Sequence, residues 1–276
     1  GGGTEGGDDG GGPQVRRIAM LGQKEALVRA LCDLAQLRRT HTIEVLVLSP
    51  KMPANVLHGA DVAEVCNAFG FDFARGLGDD AVFHRLQAFA PDLIVSILWP
   101  RRIKEEVLSL CPDCINFHPS LLPKHRGAMT QFWALFDGDA EAGVTCHRMV
   151  LEFDAGYILH QVAVAIAPDD TALSLNVKLA AASEQCFQHV IRLYFSPEGL
   201  PEGRAWNVEE YKYHYRKLPF EGLIDSAWPE DKVERFIRAM YFPPHAPAAA
   251  VAPSGERRLV TSLEQYRAVC AGVPGA

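Results

Sequence analysis

The segment DLIVSIL (residues 92–98) is a continuous apolar run that ends at Trp99-Pro100-Arg101-Arg102. A short run of this kind, rich in Ile, Leu and Val, is typical of a parallel strand covered by helices on both faces. The segments VRRIAML (15–21), IEVLVLS (43–49) and CINF (114–117) predict further strands. We therefore expect these four segments to form the centre of one sheet.

Helical spacing of apolar residues fills the gaps between these strands. It predicts helices over 24–37, 56–69, 80–90 and 103–110. This alternation favours an α/β fold with an open, mostly parallel, Rossmann-like sheet and helices on both faces. Beyond it, GVTCHRMVLEF (143–153) and GYILHQVAVAI (156–166) predict two strands around a tight turn at Asp154-Ala155-Gly156. A long helix is expected over 172–194.

Glycine- and proline-rich stretches set the expected domain boundaries. GGGTEGGDDGGGP (1–13) predicts a disordered leader. SPEGLP (196–201) separates an expected catalytic domain (14–200) from a small C-terminal extension (201–276). Within the extension we expect a helix near 231–240, a linker at APAAAVAPSG (246–255), and a closing strand and helix.

The composition is typical of a soluble globular protein, with 48% hydrophobic and 22% charged residues. The net charge is -7 and no run of Lys or Arg exceeds a doublet, which argues against tight nucleic-acid binding. No apolar stretch approaches the roughly 20 residues that span a bilayer, so no membrane association is expected. Seven scattered cysteines favour reduced thiols and a cytoplasmic location.

Common cofactor and metal motifs are missing from the sequence. Gly22-Gln23-Lys24-Glu25 follows the first strand without the G-x-G-x-x-G of dinucleotide sites, and no P-loop pattern occurs. Cys111 and Cys114 form a single C-x-x-C with no second pair to complete a zinc site. The sequence therefore predicts no metal site.

Unusual residues follow the strand CINF, in the stretch NFHPSLLPKHRG (116–127). Asn116 and His118 alternate along the strand and are expected on the same side of it. An amide and an imidazole at the carboxyl end of a strand can polarise a carbonyl and exchange a proton. Asn116, His118 and Asp154 each have a structural explanation when considered alone. His118 can be a hydrogen-bonded structural histidine, Asn116 a turn residue, and Asp154 part of a hairpin turn. Their combination favours a catalytic site.

The pattern N-x-H-P-S-L-L-P-x-x-R-G, followed by D-x-G at 154–156, resembles the folate-dependent formyltransferase family. The similarity is clearest from about residue 91 to 166. It implies that Asn116, His118 and Asp154 are the catalytic residues and that 10-formyltetrahydrofolate is the cofactor. It also implies a folate pocket, formed by Trp99, Arg101, Arg102, Ile103, Leu121, Leu122, Leu151, Glu152 and Phe153.

The expected chemistry is attack of an amine on the formyl carbonyl, which places negative charge on oxygen. Asn116 offers an N–H donor to that oxygen and His118 a second, and one such donor lowers the barrier by about 2.7–4 kcal/mol. Asp154 orients His118 and accepts the amine's proton through water. No metal is needed.

Members of this family differ in the amine that they formylate. YRKLP (215–219) and Pro243-Pro244 resemble the C-terminal pattern of the amino-sugar N-formyltransferases, a pattern that the tRNA enzymes share in part. We therefore expect a small amine, such as a nucleotide-linked amino sugar. A methionyl-tRNA formyltransferase, a formyltetrahydrofolate hydrolase and a non-catalytic folate- or nucleotide-binding module remain alternatives. A homodimer is also left open.

Overall fold

The computed structural model describes residues 15–51 and 61–273. Its strands are β1 (Arg16–Gly22), β2 (Ile43–Ser49), β3 (Asp72–Arg75), β4 (Leu93–Ile97), β5 (Asp113–His118), β6 (Arg126–Gly127), β7 (Glu141–Arg148), β8 (Ile158–Ala165), β9 (Tyr213–His214), β10 (Ala248–Val251) and β11 (Arg257–Val260). Its helices are α1 (Lys24–Leu37), α2 (Val62–Phe69), α3 (Asp79–Phe89), α4 (Glu105–Leu108), α5 (Thr130–Asp137), α6 (Ala172–Phe195), α7 (Glu230–Met240) and α8 (Leu263–Cys270). Two 3-10 turns cover Val208–Glu210 and Pro219–Gly222.

The main sheet has seven strands in the order β3-β2-β1-β4-β5-β7-β8. Strands β1 to β5 run parallel, whereas β7 is antiparallel to both β5 and β8. The pairs β10-β11 and β6-β9 form two small separate sheets. The predicted mostly parallel α/β sheet is therefore confirmed.

Alternate residues of β1 enter two apolar cores on opposite faces of the sheet. Ile18 and Met20 pack with residues of α1 and α6, whereas Ala19 and Leu21 pack with residues of α3 and α4. All four side chains are fully buried. Burial on both faces explains why the strands are continuous apolar runs rather than alternating patterns.

The C-terminal extension joins the larger of these cores. Phe236 of α7 is fully buried, and its ring meets that of Phe132 in α5 edge-on at 5.8 Å. Aromatic pairs of this geometry add to the stability that burial provides. The domain boundary near residue 200 remains a prediction, but the extension packs against α5 as part of one core.

The tight turn expected at 154–156 is wrong. Strand β7 ends at Arg148 and β8 begins at Ile158, so residues 149–157 form a longer loop. The β7–β8 register shifts between Cys146 and His147, and the Arg148 N–H then bonds to the Tyr157 carbonyl at 2.9 Å. This register shift is a β-bulge. It ends the regular hydrogen bonding between β7 and β8, so the residues that follow Arg148 are not part of the sheet.

Other differences concern short elements. The segment 246–255 is not a linker, because β10 within it pairs with β11 and buries Ala248 and Ala250. Strand β3 was not predicted, and the helix expected over 103–110 shortens to α4. The leader (1–13) lies outside the described residues. So does the first part of the helix expected over 56–69, whose described part is α2.

Candidate active site

The strand order creates a crevice at the carboxyl ends of β1 and β4. From β1 the chain proceeds to β2 and β3 on one side, and from β4 to β5 on the other, so the order reverses between β1 and β4. Open α/β sheets bind ligands at such a point. Leu21, Ser96 and Asn116 are in register across β1, β4 and β5, so the end of β5 lies beside this crevice.

The structure brings the three predicted catalytic residues together. His118 is the last residue of β5, and its Nδ1 lies 3.3 Å from Oδ1 of Asp154. Asn116 lies two residues earlier, and its Nδ2 is 3.1 Å from Nε2 of His147, which is itself 3.7 Å from Asp154. The four side chains form one polar cluster, which we call the Asn-His-Asp site.

His118 is surrounded by hydrogen-bond acceptors. Its Nε2 lies 3.0 Å from the carbonyl oxygen of His125, and its Nδ1 faces the Asp154 carboxylate. Burial lowers the pKa of His118, and the negative charge of Asp154 partly offsets that decrease. The imidazole is therefore deprotonated more readily than a solvent-exposed one and is suited to exchange a proton near neutral pH.

Asp154 is held in place by the loop that carries it. Its backbone has a φ of 51°, in the left-handed region, and its Oδ2 accepts the Gly127 N–H at 3.0 Å. Burial raises the pKa of the Asp154 carboxyl. The nearby His118 and His147 rings and the Gly127 N–H have the opposite and larger effect, so the pKa is lowered to about 2. Asp154 is therefore a carboxylate at neutral pH.

His147 is a member of the site that the sequence analysis missed. Its Nδ1 donates to the Arg148 carbonyl at 2.8 Å, so in the neutral ring Nε2 is free to accept from Asn116. This contact fixes the orientation of the Asn116 amide and leaves its second N–H available. The pairing of β5 with β7 places His147 directly opposite Asn116. A sequence signal existed, because His147 lies in the predicted strand 143–153.

Arg126 joins the motif loop to the loop that carries Asp154. Its guanidinium donates to the Glu152 carboxylate at 2.7 Å and to the Phe153 carbonyl at 2.8 Å. It also donates to the Val208 carbonyl of the extension at 3.2 Å and contacts the Trp206 ring. Arg126 is only 4% exposed, and its hydrogen bonds hold the three segments together.

Comparisons with known proteins identify the family of this chain. Residues 16–191 match the family model described as formyl transferase. The chain belongs to the formyltransferase family. A GDP-perosamine N-formyltransferase of Brucella melitensis biotype 1 is 36% identical over 205 residues, which cover 73% of this chain and 77% of that relative.

Solved structures of formyltransferases share the fold. A 4-N formyltransferase from Francisella tularensis superposes with a TM-score of 0.70 and 17% identity, covering 89% of this chain and 96% of that one. An N-formyltransferase from Helicobacter canadensis, solved in complex with folinic acid and dTDP-3-aminofucose, gives a TM-score of 0.70 and 19% identity. That match covers 84% of this chain and 83% of that one.

Two of the segments predicted to bind folate in this formyltransferase lie against each other. Arg102, in the loop after β4, donates to the Leu151 carbonyl at 3.0 Å. Leu151 and Phe153 are each 43% exposed, and Trp99 and Ile103 are partly exposed. Glu152 is exposed and pairs with Arg126. These contacts leave apolar side chains at the surface beside the Asn-His-Asp site.

The remaining predicted folate residues are more enclosed. Arg101 bonds to the Leu77 carbonyl and Asp79 and lies 4.5 Å from the centre of the Trp99 ring, while its Nε and Nη2 are buried without partners. Leu121 is half-buried against Gly143. Leu122 is 2% exposed, and Thr145 and Gln161 occupy its N–H and carbonyl. Leu122 thus offers a ligand neither a free backbone group nor an exposed side chain.

The described part of this formyltransferase has neither a metal-binding cluster nor a membrane-spanning helix. Residues 15–51 and 61–273 contain no group of three or more His, Cys, Asp or Glu residues placed to hold a metal ion. Cys111 and Cys114 are free thiols with their sulfur atoms 3.7 Å apart. Among the same residues, no helix has the length and apolar character needed to cross a membrane.

Proposed function

We propose that this formyltransferase transfers a formyl group from 10-formyltetrahydrofolate to the amino group of a nucleotide-linked amino sugar. The observation that carries the proposal is the Asn-His-Asp site at the carboxyl end of β5, in a chain 36% identical to a GDP-perosamine N-formyltransferase. Asn116, His118 and Asp154 are its proposed catalytic residues.

The residues beside the site fit a folate. A pterin is a flat ring with polar edges, and the partly exposed Trp99 ring, with the Arg101 guanidinium 4.5 Å from its centre, is a flat group of matching shape. Leu151 and Phe153 supply exposed apolar side chains for the less polar part of the molecule. We assign these residues, with Arg102 and Ile103, to holding the cofactor. When bound, the folate supplies the formyl group that is transferred.

Asn116 would act on the formyl oxygen. One N–H of its amide is directed to His147, so the other is free to donate as negative charge develops on that oxygen. Removing one preorganised donor of this type typically costs about 2.7–4 kcal/mol. His118 and Asp154 would remove the proton from the attacking amine. Their shared Nδ1–Oδ1 edge is the site of that exchange, because the His125 carbonyl occupies Nε2 of His118.

The surface near the site suits an anionic nucleotide. Lys24 is the first residue of α1, and burial and the positive charge of Arg216 both lower its pKa. Two neighbouring cations favour a bound pyrophosphate. Tyr215 is 77% exposed and contacts the Tyr213 ring edge-on at 5.0 Å, so it can stack on a base. A net charge of -7 without basic runs disfavours tRNA as the acceptor.

The test is an acceptor assay at physiological salt. The enzyme and 10-formyltetrahydrofolate are incubated with nucleotide-linked amino sugars, with methionyl-tRNA, and without any amine. We expect folate consumption and an N-formyl product with an amino sugar only. Efficient formylation of methionyl-tRNA would contradict the proposed acceptor. Equal folate consumption without any amine would instead identify a hydrolase. A cytoplasmic location and a homodimer remain predictions.

A further inference from the structure

The backbone of His125 determines which nitrogen of His118 can exchange a proton. The carbonyl oxygen of His125 lies 3.0 Å from His118 Nε2. A carbonyl can only accept a hydrogen bond, so Nε2 must carry a proton. The other nitrogen, Nδ1, lies 3.3 Å from the Asp154 carboxylate. The His125 carbonyl thus leaves Nδ1 as the nitrogen that gains or loses a proton.

This carbonyl is presented by an uncommon backbone conformation. His125 has a φ of 53°, in the left-handed region that most residues avoid. The turn before it is closed by two hydrogen bonds, from the Ser120 hydroxyl to the Lys124 carbonyl at 2.7 Å and from the Lys124 N–H to the Leu121 carbonyl at 3.0 Å. A return of His125 to a negative φ would turn its carbonyl away from His118.

The side chain of His125 holds this conformation. Its Nε2 donates to Oδ2 of Asp139 at 2.8 Å, and the two side chains are 9% and 14% exposed. The other oxygen of Asp139 accepts from Lys124 Nζ at 3.0 Å. Asp139 is itself fixed after α5, since its N–H bonds to the Ala134 carbonyl at 3.0 Å. One carboxylate therefore binds two consecutive residues of the motif loop.

We propose that His125 and Asp139 are positioning residues, which hold the His125 carbonyl against Nε2 of His118 so that proton exchange occurs at Nδ1, beside Asp154. They act through His118 rather than on the substrate. The catalytic consequence rests on the proposed formyl transfer, whereas the tautomer of His118 can be measured without substrates.

The test compares two substitutions of His125. In His125→Asn the new residue tolerates a positive φ by itself, so the conformation no longer depends on the bond to Asp139, whereas in His125→Val the β-branched side chain disfavours that φ. We expect His125→Val to lower kcat about 10–100-fold, with KM for the folate changed less than about threefold, as for a misplaced catalytic group. We expect His125→Asn to retain kcat within about threefold. Nitrogen NMR of His118 should show protonated Nε2 in the wild type and the Asn variant, and a mixture of tautomers in the Val variant.

A second pair of substitutions keeps the test decisive if the His125→Val variant does not fold. Asp139→Ala removes the acceptor for His125 and should lower kcat with the same change in tautomer. Asp139→Asn keeps an acceptor oxygen for His125, so we expect it to show the wild-type kcat and the wild-type tautomer of His118. Because Asp154, His147 and His125 all face His118, the pH profile of each variant is recorded as well.

Three results would overturn the proposal. They are a wild-type His118 protonated at Nδ1 alone, an unchanged kcat in both His125→Val and Asp139→Ala, or an equal loss of kcat in His125→Asn and His125→Val. If the wild type formylates no amine at all, the proposed function fails, and the NMR measurement still decides the positioning role.

Discussion

Replacing Gly156 by alanine tests whether the loop that carries Asp154 must follow its observed path. A Cβ atom at this position would lie 1.8 Å from the Arg148 carbonyl oxygen, whereas real Cβ contacts essentially never fall below 3.0 Å. The loop must therefore shift by at least 1.2 Å (3.0 minus 1.8). The carbonyl cannot easily turn aside, because it accepts the His147 Nδ1–H at 2.8 Å.

A shift of this size is enough to disrupt the site. Asp154 lies two residues before Gly156, and its Oδ1 is only 3.3 Å from His118 Nδ1. Misplacement of a catalytic group by about 1 Å can cost about 100-fold in rate. We expect Gly156→Ala to lower kcat by about that factor and the free energy of unfolding by about 1–3 kcal/mol, as for other overpacked sites.

The assay is the initial rate of formyl transfer at saturating donor and acceptor, with thermal unfolding measured on the same samples. Gly78→Ala is a matched control, since a Cβ at Gly78 meets no atom within 4 Å and its φ is -68°. The control should retain kcat within about twofold. A folded Gly156→Ala variant with wild-type kcat, or an equal loss in both variants, would refute the reasoning.

Three further predictions concern the same site. Asp154→Asn should lower kcat about 100-fold or more while folate binding, measured by calorimetry, persists; weak folate binding would instead indicate a role in the pocket. Because burial lowers the pKa of His118 and the neutral ring is the proposed base, the acid limb of kcat/KM should lie below pH 6.5. It should lie lower still in Asp154→Asn, which removes the charge that raises this pKa; a limb above pH 6.5 would count against His118 as the base. Dialysis against a strong chelator should leave the rate unchanged, and loss of activity restored by a metal ion would contradict this expectation.

The parts of the fold that were predicted correctly are those with a strong local pattern. The helix α1 has the bounds that were predicted, and β2 matches IEVLVLS residue for residue. The four-residue strand β3 has two exposed charged ends and no periodicity long enough to detect. Strand β10 consists of three Ala and one Val, a composition that favours a linker when its pairing with β11 is unknown.

The site was only partly predictable for a different reason. Asn116, His118 and Asp154 belong to a recognisable pattern, but His147 joins them only through the β5–β7 register. The role proposed for His125 depends on a backbone φ and on a contact with Asp139, and neither is encoded in a short motif. The roles of His147 and His125 depend on contacts between residues far apart in sequence, so the local sequence pattern could not predict them.

The bonds of Arg126 have a consequence for the order of events in turnover. The same guanidinium holds the Phe153 carbonyl, next to Asp154, and the Val208 carbonyl in the extension. If the proposed acceptor binds at the extension and moves it, the same hydrogen bonds transmit that movement to the residue beside Asp154. Acceptor binding and the position of the Asp154 carboxylate would then be linked, and each would change the equilibrium of the other by the same factor. The extension would thus set when the site is ready to react as well as what it binds.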